Sequence, residues 1–290
     1  MIRQRGFTLV ELAIVLVLVT LLIGGLAVPL SAQIQARRIA ETNKTLDEAR
    51  EAIIGYAMSH TTTTTCDCRY FSNGLFGSTD CPSAISCPTS IAPPPGVDTT
   101  ATLTIPARHY LPCPDKLDDG NPATTDDGDG IEDRVAGGCA QSQGYLPWVT
   151  LGTGSQDAWG NRLRYAVTDA FSNSAGFSNT DIGDFQICDT SANTGASDCG
   201  ASGNVAAKVP VVLLSHGPNG WGARNINGTT LANPSSGNER ENANTTNNDR
   251  EFVSRAPSRA NDPAGEFDDL VKWISADQLR GRICSAGGCR

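Results

Sequence analysis

Gly6-Phe7 and Glu11, standing at the head of an otherwise apolar run, are the residues whose types and spacing most demand a chemical explanation. Residues 12–30 hold no ionisable side chain, and the roughly 20 residues that cross about 30 Å of hydrocarbon are reached if residues 7–10 join the helix. A carboxylate beside such a run costs about 2.5–3.5 kcal/mol on insertion scales, less near the interface, so Glu11 needs a cationic partner. Arg3 and Arg5 before the run are matched by Arg37, Arg38 and Lys44 after it, and charge alone leaves the orientation open. An ordinary secretory signal is the competing reading, cut after the apolar core at small residues such as Ala27 or Ala32. It leaves Gly6-Phe7 and Glu11 without a reason for their spacing.

A second group with chemical potential is acidic. Asp126, Asp127, Asp129, Glu132 and Asp133, with Asp118 and Asp119 upstream and glycines between, alternate carboxylates on a loop in the way that suits the six to eight oxygens of calcium. The EF-hand template is not met: with Asp127, Asp129 and Gly130 in register the first ligand would be Thr125, and the distal glutamate is absent. A solvated acidic loop is the alternative. The 10 cysteines all follow the apolar run, and an even number reads as disulfides if that part of the chain faces an oxidising compartment. The simplest local pairs are Cys113 with Cys139, Cys188 with Cys199 and Cys284 with Cys289, leaving Cys66, Cys68, Cys81 and Cys87 to pair among themselves; spacing does not fix the connectivity. Zinc at these last four competes, without the usual C-x-x-C half-sites. Ser215 and His216 are adjacent, a poor geometry for a nucleophile and its base. With no G-x-S-x-G, H-E-x-x-H or P-loop, an enzyme is not expected.

The net charge of −9 becomes −11 if Arg3 and Arg5 leave with a leader. So acidic a chain argues against general nucleic-acid binding, which needs a basic patch. About 230 residues remain for a head, enough for one domain with insertions. Glycine is abundant and aromatics are few, so much of the head is expected to be loop tied by disulfides.

The elements that must position these groups follow from periodicity. Beyond Pro29, where a lost backbone bond invites a kink, Ile34, Ile39, Leu46, Ala49, Ile53 and Ala57 recur mostly every three to four residues among charged neighbours. One helix from Phe7 to about His60 would extend roughly 80 Å, and the β-branched run 61–65 ends it. Residues 61–112, with four cysteines and Pro93-Pro94-Pro95-Gly96, read as an irregular insertion. Strands are expected at 145–151, 162–168, 185–188 and 207–214, paired antiparallel through short loops. Leu163, Tyr165 and Val167 alternate with Arg162, Arg164 and Ala166, as a sheet with one buried face requires. Ser275 and Gln278 form a capping-box pattern for a short closing helix with Leu279 and Ile283.

The N-terminal arrangement resembles that of type IV pilins and type II secretion pseudopilins. The resemblance implies that a prepilin peptidase cuts after Gly6 and N-methylates Phe7, and that Glu11 pairs with the freed α-ammonium of a neighbouring subunit's Phe7. It divides the chain into a leader at 1–6, a transmembrane and assembly helix at 7–30, an amphipathic continuation at 31–60, the insertion at 61–112 and a β head at 113–290. In the head, Asp157-Ala-Trp-Gly-Asn-Arg-Leu-Arg-Tyr165 is similar to the turn that leads the major pseudopilin into its sheet. The stretch 211–220, VVLLSHGPNG, is similar to the passage from a strand into a calcium-binding loop, and 266–273, EFDDLVKW, to the closing strand. Pro218-Asn219 departs from that pattern, standing where an acidic residue is common, and the loop to Arg250 is long. The implied fold is α+β: a long protruding N-terminal helix on a small antiparallel head with disulfide-rich loops. The implied setting is a single-pass protein of the bacterial inner membrane with a periplasmic head, or a place in a cell-surface filament. Implied partners are prepilin peptidase, other pilin or pseudopilin subunits, an assembly platform and a separate motor ATPase. A monomeric anchored periplasmic binding protein, or a tethered enzyme, is the alternative class.

Overall fold

The computed structural model describes residues 8–62, 65–70, 76–78, 99–104, 108–117, 128–191, 199, 203–234, 237–243 and 250–284, and leaves the side chains of 24–29, 65–70, 76–78, 99 and 101–104 aside. The leading helix, α1 (Leu9–Ser59), is 51 residues long and runs unbroken through Pro29. Thr8 caps it by accepting from the Glu11 N–H, while the Glu11 carboxylate accepts from the Thr8 N–H at 2.9 Å, a reciprocal capping box. At the other end His60 stacks on Tyr56 at 3.7 Å, and His109 Nδ1 lies 2.7 Å from the Ala57 carbonyl. The threonine run ends the helix as expected, its first residues forming β1 (Thr61–Thr62).

The stretch read as an irregular insertion holds regular structure. β2 (Thr65–Tyr70), β3 (Phe76–Ser78) and β4 (Thr99–Thr104) make an antiparallel sheet in the order β3-β2-β4, and β5 (Arg108–His109) returns to pair with β1. Threonine supplies β propensity along β4, a signal that the prolines and cysteines obscured.

The head continues through β6 (Arg134–Val135), β7 (Gly138–Cys139), β8 (Gln143–Tyr145), α2 (Trp148–Leu151), β9 (Arg164–Val167), α3 (Asp169–Ser172), β10 (Phe185–Cys188), β11 (Asn204–Val209), β12 (Val211–Ser215), α4 (Asn238–Ala243), β13 (Glu251–Val253), β14 (Leu270–Ile274) and α5 (Ala276–Ile283). The central sheet, β14-β12-β9-β8, is antiparallel throughout. A second sheet, β11-β10-β13, combines an antiparallel pair with a parallel one, β10 with β13, where antiparallel pairing was expected. Between those two strands the chain passes through β11, β12 and α4, so no hairpin dictates direction.

Two expected strands are divided. Residues 145–151 end as a strand at Tyr145 and turn into α2 after Pro147, whose missing N–H suits a helix start. The run 207–214 is broken at Pro210, which cannot donate to a ladder; β11 belongs to the second sheet and β12 to the central one. The capping box at Ser275 and Gln278 starts α5 as read.

The central sheet is buried on both faces, not one. Leu163, Tyr165, Val167, Val211, Leu213 and Ile274 meet Leu46, Ala49, Ile53, Ile54 and Ala57 of α1 together with Leu279 and Ile283 of α5. Ala166 and Val212, on the reverse face, meet Phe185, Ile187, Val209 and Phe252 of the second sheet. Arg164 shares that covered face, and burial brings its guanidinium down to about 10. The second half of α1 is also held by Asp47 with Lys272 at 3.4 Å and Glu51 with Arg282 at 2.6 Å.

Cys113–Cys139 and Cys188–Cys199 are disulfides, as the local pairing anticipated. Cys284 is disulfide-bonded too, while Cys289, Cys81 and Cys87 lie outside the described residues. Among the described residues no helix is long and apolar enough to cross a membrane. The span expected at 7–30 is therefore not shown: Gly6 and Phe7, and the side chains of 24–29, lie outside the described residues, so the apolar run is documented side chain by side chain only over 8–23.

Candidate functional site

Two regions of the chain carry groups in unusual settings. In the first, Leu9, Val10, Leu12, Ile14, Val15, Leu16, Val17 and Leu18 of α1 are all exposed, with Leu9 at 86%. Apolar surface of this extent on the exposed first part of α1 marks an interaction or membrane surface. Glu11 stands in its first turn, its carboxylate held by the Thr8 backbone N–H and hydroxyl, both at 2.9 Å. The carboxylate expected to lack any partner before assembly is thus already engaged within its own subunit.

Residues 1–27 match the family model described as the prokaryotic N-terminal methylation motif. This is a pilin-like N-terminus. The motif indicates processing by prepilin peptidase, pilin-type assembly and membrane anchoring, and it supports a type IV pilin-like or pseudopilin family. The match covers the start of the chain and none of the head. No curated protein and no solved structure matches the chain significantly.

The segment 157–165 acts in the head as a joint. Asp157 Oδ1 accepts from the backbone N–H groups of Trp159 and Asn161, both at 2.9 Å, and Gly160 takes φ 86°, which closes the turn. The Ser215 hydroxyl donates to Asp157 Oδ2 at 2.8 Å, and the Ala158 N–H donates to Thr42 Oγ1 of α1 at 3.1 Å. Helix, turn and β12 are tied at one point. Ser215 is fully buried and spends its proton on Asp157.

The acidic loop at 115–133 proves to be internally satisfied where it is described. Asp115 accepts from Gly128 and Gly130 N–H at 2.8 Å each, and burial pushes its carboxyl up to about 7 against those bonds. Glu132 accepts from the Tyr56 hydroxyl at 2.6 Å, the Cys113 N–H at 2.8 Å and Arg134 at 2.9 Å. Asp133 accepts from the Lys116 N–H, and Asp129 closes its own turn onto Ile131. Asp126 and Asp127 lie outside the described residues. Asp129, Glu132 and Asp133 are not brought together: they serve different partners.

A second acidic group has the opposite character. Glu239 of α4 and Asp268 and Asp269, just before β14, place carboxylate oxygens within 4.8 Å of one another, the one such group among the described residues. At that separation each pair of charges repels by about 3 kcal/mol at an effective dielectric near 20. Glu239 accepts from the Asn219 side-chain amide at 2.9 Å and the Asp268 N–H at 2.9 Å; Asp269 Oδ2 accepts from Asn242 at 2.8 Å. No Lys or Arg among the described residues pairs with the three. Asp268 Oδ1 and Asp269 Oδ1 are buried without a hydrogen-bond partner, as are both ring nitrogens of His216, whose Nδ1 lies 3.8 Å from Asp269 Oδ1. Burial and then the Glu239 and Asp269 charges push the Asp268 carboxyl up to about 7, and burial raises Glu239 as well. Gly217, at φ 60°, lets the backbone pass so close that a Cβ there would stand 2.5 Å from Asp268 Oδ1.

This group occupies the place where the resemblance puts a calcium-binding loop, between 211–220 and 266–273. The orphaned carboxylate oxygens have the chemistry of a hard-cation donor set, whereas the described carboxylates at 129, 132 and 133 each already accept a hydrogen bond. Sequence reading named the Asp268-Asp269 stretch only as a closing strand and did not find Glu239. The signal lay in the departure at Asn219: a missing carboxylate invited a search for one elsewhere in the long loop.

Proposed function

We propose that this chain is a filament subunit, a secretion pseudopilin or a minor type IV pilin, that polymerises from the bacterial inner membrane through the first half of α1. The observation that carries the reading is the continuous exposed apolar surface of that half, headed by Thr8 and Glu11 and overlapping the methylation motif. Residues 12–30 hold no ionisable group, so in the proposed state the helix rests in the bilayer with the head in the periplasm, and then leaves the lipid to bundle with other subunits. Glu11 exchanges its Thr8 contacts for the α-ammonium of a neighbour's Phe7, which sets the axial register. Assembly calls on a platform in the inner membrane and a separate motor ATPase. The chain itself works by binding and not by catalysis. A bulky head with long loops would crowd a tightly wound filament, which favours low-abundance incorporation for secretion, adhesion or uptake.

Intact-mass analysis of the membrane-extracted protein tests processing, and cysteine cross-linking along 9–23 tests assembly. The expected result is a mature terminus at N-methylated Phe7 with helix-to-helix cross-links in cells. A terminus near residue 28 or 33 would overturn the processing step. Correct processing with no subunit cross-link would replace the filament subunit by a monomeric anchored protein.

A further inference from the structure

We propose that Gln156, Arg162, Arg224 and Thr230 form one row of hydrogen-bond donors that binds a single tetrahedral oxyanion of the phosphate class, centred between the two arginines. The row follows from backbone pairing. Gln156 pairs with Arg162 and Arg224 with Thr230, both antiparallel, and the pairing of Asn161 with Asn225 sets Arg162 directly opposite Arg224. The Arg162 N–H donates to the Arg224 carbonyl at 2.8 Å, which fixes that register. Residues directly opposite one another in a ladder stand on one face, with neighbouring strands about 4.8 Å apart. An amide, two guanidinium groups and a hydroxyl therefore line up across adjacent segments, the outer two residues exposed and the arginines half-buried. The site lies wholly in the head and does not depend on the filament reading.

Like charges directly opposite in a sheet destabilise it, and the described head gives this pair little to offset them. Arg162 makes no side-chain hydrogen bond and no ion pair among the described residues; its guanidinium lies over the Trp148 ring at 3.9 Å. The acid whose charge acts on it is Asp115, a buried carboxyl already accepting from the Gly128 and Gly130 N–H groups and pushed up to about 7. Burial pulls the Arg162 guanidinium below its ordinary range, and the Arg224 charge adds to that effect. Two residues along the same strand, Arg164 is buried with no acid among the described residues acting on it, so its charge adds to the positive field. Trp148 makes the site rigid. It packs on the Gly130 backbone, where a Cβ would stand 2.2 Å from the ring, and offers its face to Arg162. A guanidinium held flat on an indole keeps its N–H edge free and loses little freedom on binding. Arg224 has contacts of its own, which makes Arg162 the anchor. Two guanidinium forks offer more donors than the two oxygens of a carboxylate take up, whereas a tetrahedral oxyanion presents oxygens to both.

The test uses the mature full-length protein in a non-ionic detergent at low salt, titrated calorimetrically with sodium phosphate or sodium acetate while melting is followed in parallel. Phosphate is expected to bind and to raise the melting temperature, with acetate about tenfold weaker or more. Micelles doped with phosphatidylglycerol separate the sources: a response to both at equal phosphate concentration assigns the site to the phosphate group itself, and a response to the lipid alone assigns it to a headgroup. Arg162→Gln should weaken binding by about tenfold or more and leave anion-free melting unchanged or higher, because one of two opposed like charges is gone. Arg224→Gln is the second variant and should weaken binding in the same way if Arg162→Gln does not fold. Thr230→Val, which removes an outer neutral donor, should cost less, about threefold. No response to phosphate, free or lipid-borne, at about 10 mM, where a millimolar site is filled, would overturn the inference. Wild-type affinity in either folded glutamine variant, or acetate binding as well as phosphate, would overturn it equally.

Discussion

The two halves of α1 are one continuous helix under opposite rules. From Leu9 to Ile23 every described side chain is exposed, and the apolar residues point in all directions. From Thr42 onward the helix obeys strict amphipathicity: Leu46, Ala49, Ile53, Ile54 and Ala57 are fully buried or nearly so, and Lys44, Asp47, Glu48 and Glu51 face out. The second half has its partner in the same chain. Over residues 9–23 the first half has none among the described residues, and so exposed an apolar surface suits lipid or other subunits. A helix apolar all round and a helix apolar on one stripe have different solvents, and this one changes solvent part-way along.

The largest effect on head stability should come from the packed half. Ile53 is fully buried where α1 meets the central sheet, and truncating such a side chain leaves a cavity that close-packed neighbours refill only in part. Ile53→Ala should lower head stability by about 3 kcal/mol, measured by denaturant unfolding, while cleavage after Gly6 proceeds as in wild type. Unchanged stability would mean that the second half of α1 does not dock on the head.

A smaller effect should follow at the polar end of the same interface. Glu132 collects the Tyr56 hydroxyl, the Cys113 N–H and Arg134, so Glu132→Ala strands three donors in a part-buried site. A loss of about 2 kcal/mol is expected, with Tyr56→Phe costing about 1 kcal/mol because it deletes one bond and strands only the acceptor. If instead Glu132 were a cation ligand, its loss would appear as a change in calcium response with little change in metal-free stability.

The same contrast explains what the amino-acid sequence made legible. The helical stripe, the capping box at Ser275 and Gln278 and the 157–165 turn are local: each lies within a few turns of chain, and each stands where its pattern placed it. Counting acids did not show how these groups are used: Asp115, Glu132 and Asp133 accept from backbone N–H groups, Tyr56 and Arg134, which no spacing rule reveals. Glu239 is separated from Asp268 and Asp269 by about 30 residues of chain, and only the fold brings them within reach. Parallel pairing of β10 with β13 was invisible for the same reason. The second buried face of the central sheet was hidden because Arg164 occupies it, and a charged residue signals solvent unless a covering sheet is already known.

The smallest effect on the head should come from the residue with the largest effect on assembly. Glu11→Ala removes one side of the capping box and the only carboxylate in the exposed half. Losing a cap costs about 1 kcal/mol, but it is felt in the first turn, some thirty residues from the nearest buried contact at Thr42, so head melting should not move. Filament incorporation should be lost, since the neighbour's Phe7 ammonium is left without a counter-charge among apolar helices. Two roles for Glu11 are then separable by Glu11→Gln. Glutamine can still accept from the Thr8 N–H and so keeps the capping box, yet it carries no charge for the ammonium. If register depends on the charge pair, Glu11→Gln should assemble as poorly as Glu11→Ala while the head of both melts like wild type. Assembly by Glu11→Gln at the wild-type level would show that the cap, and not the ion pair, is what the filament requires.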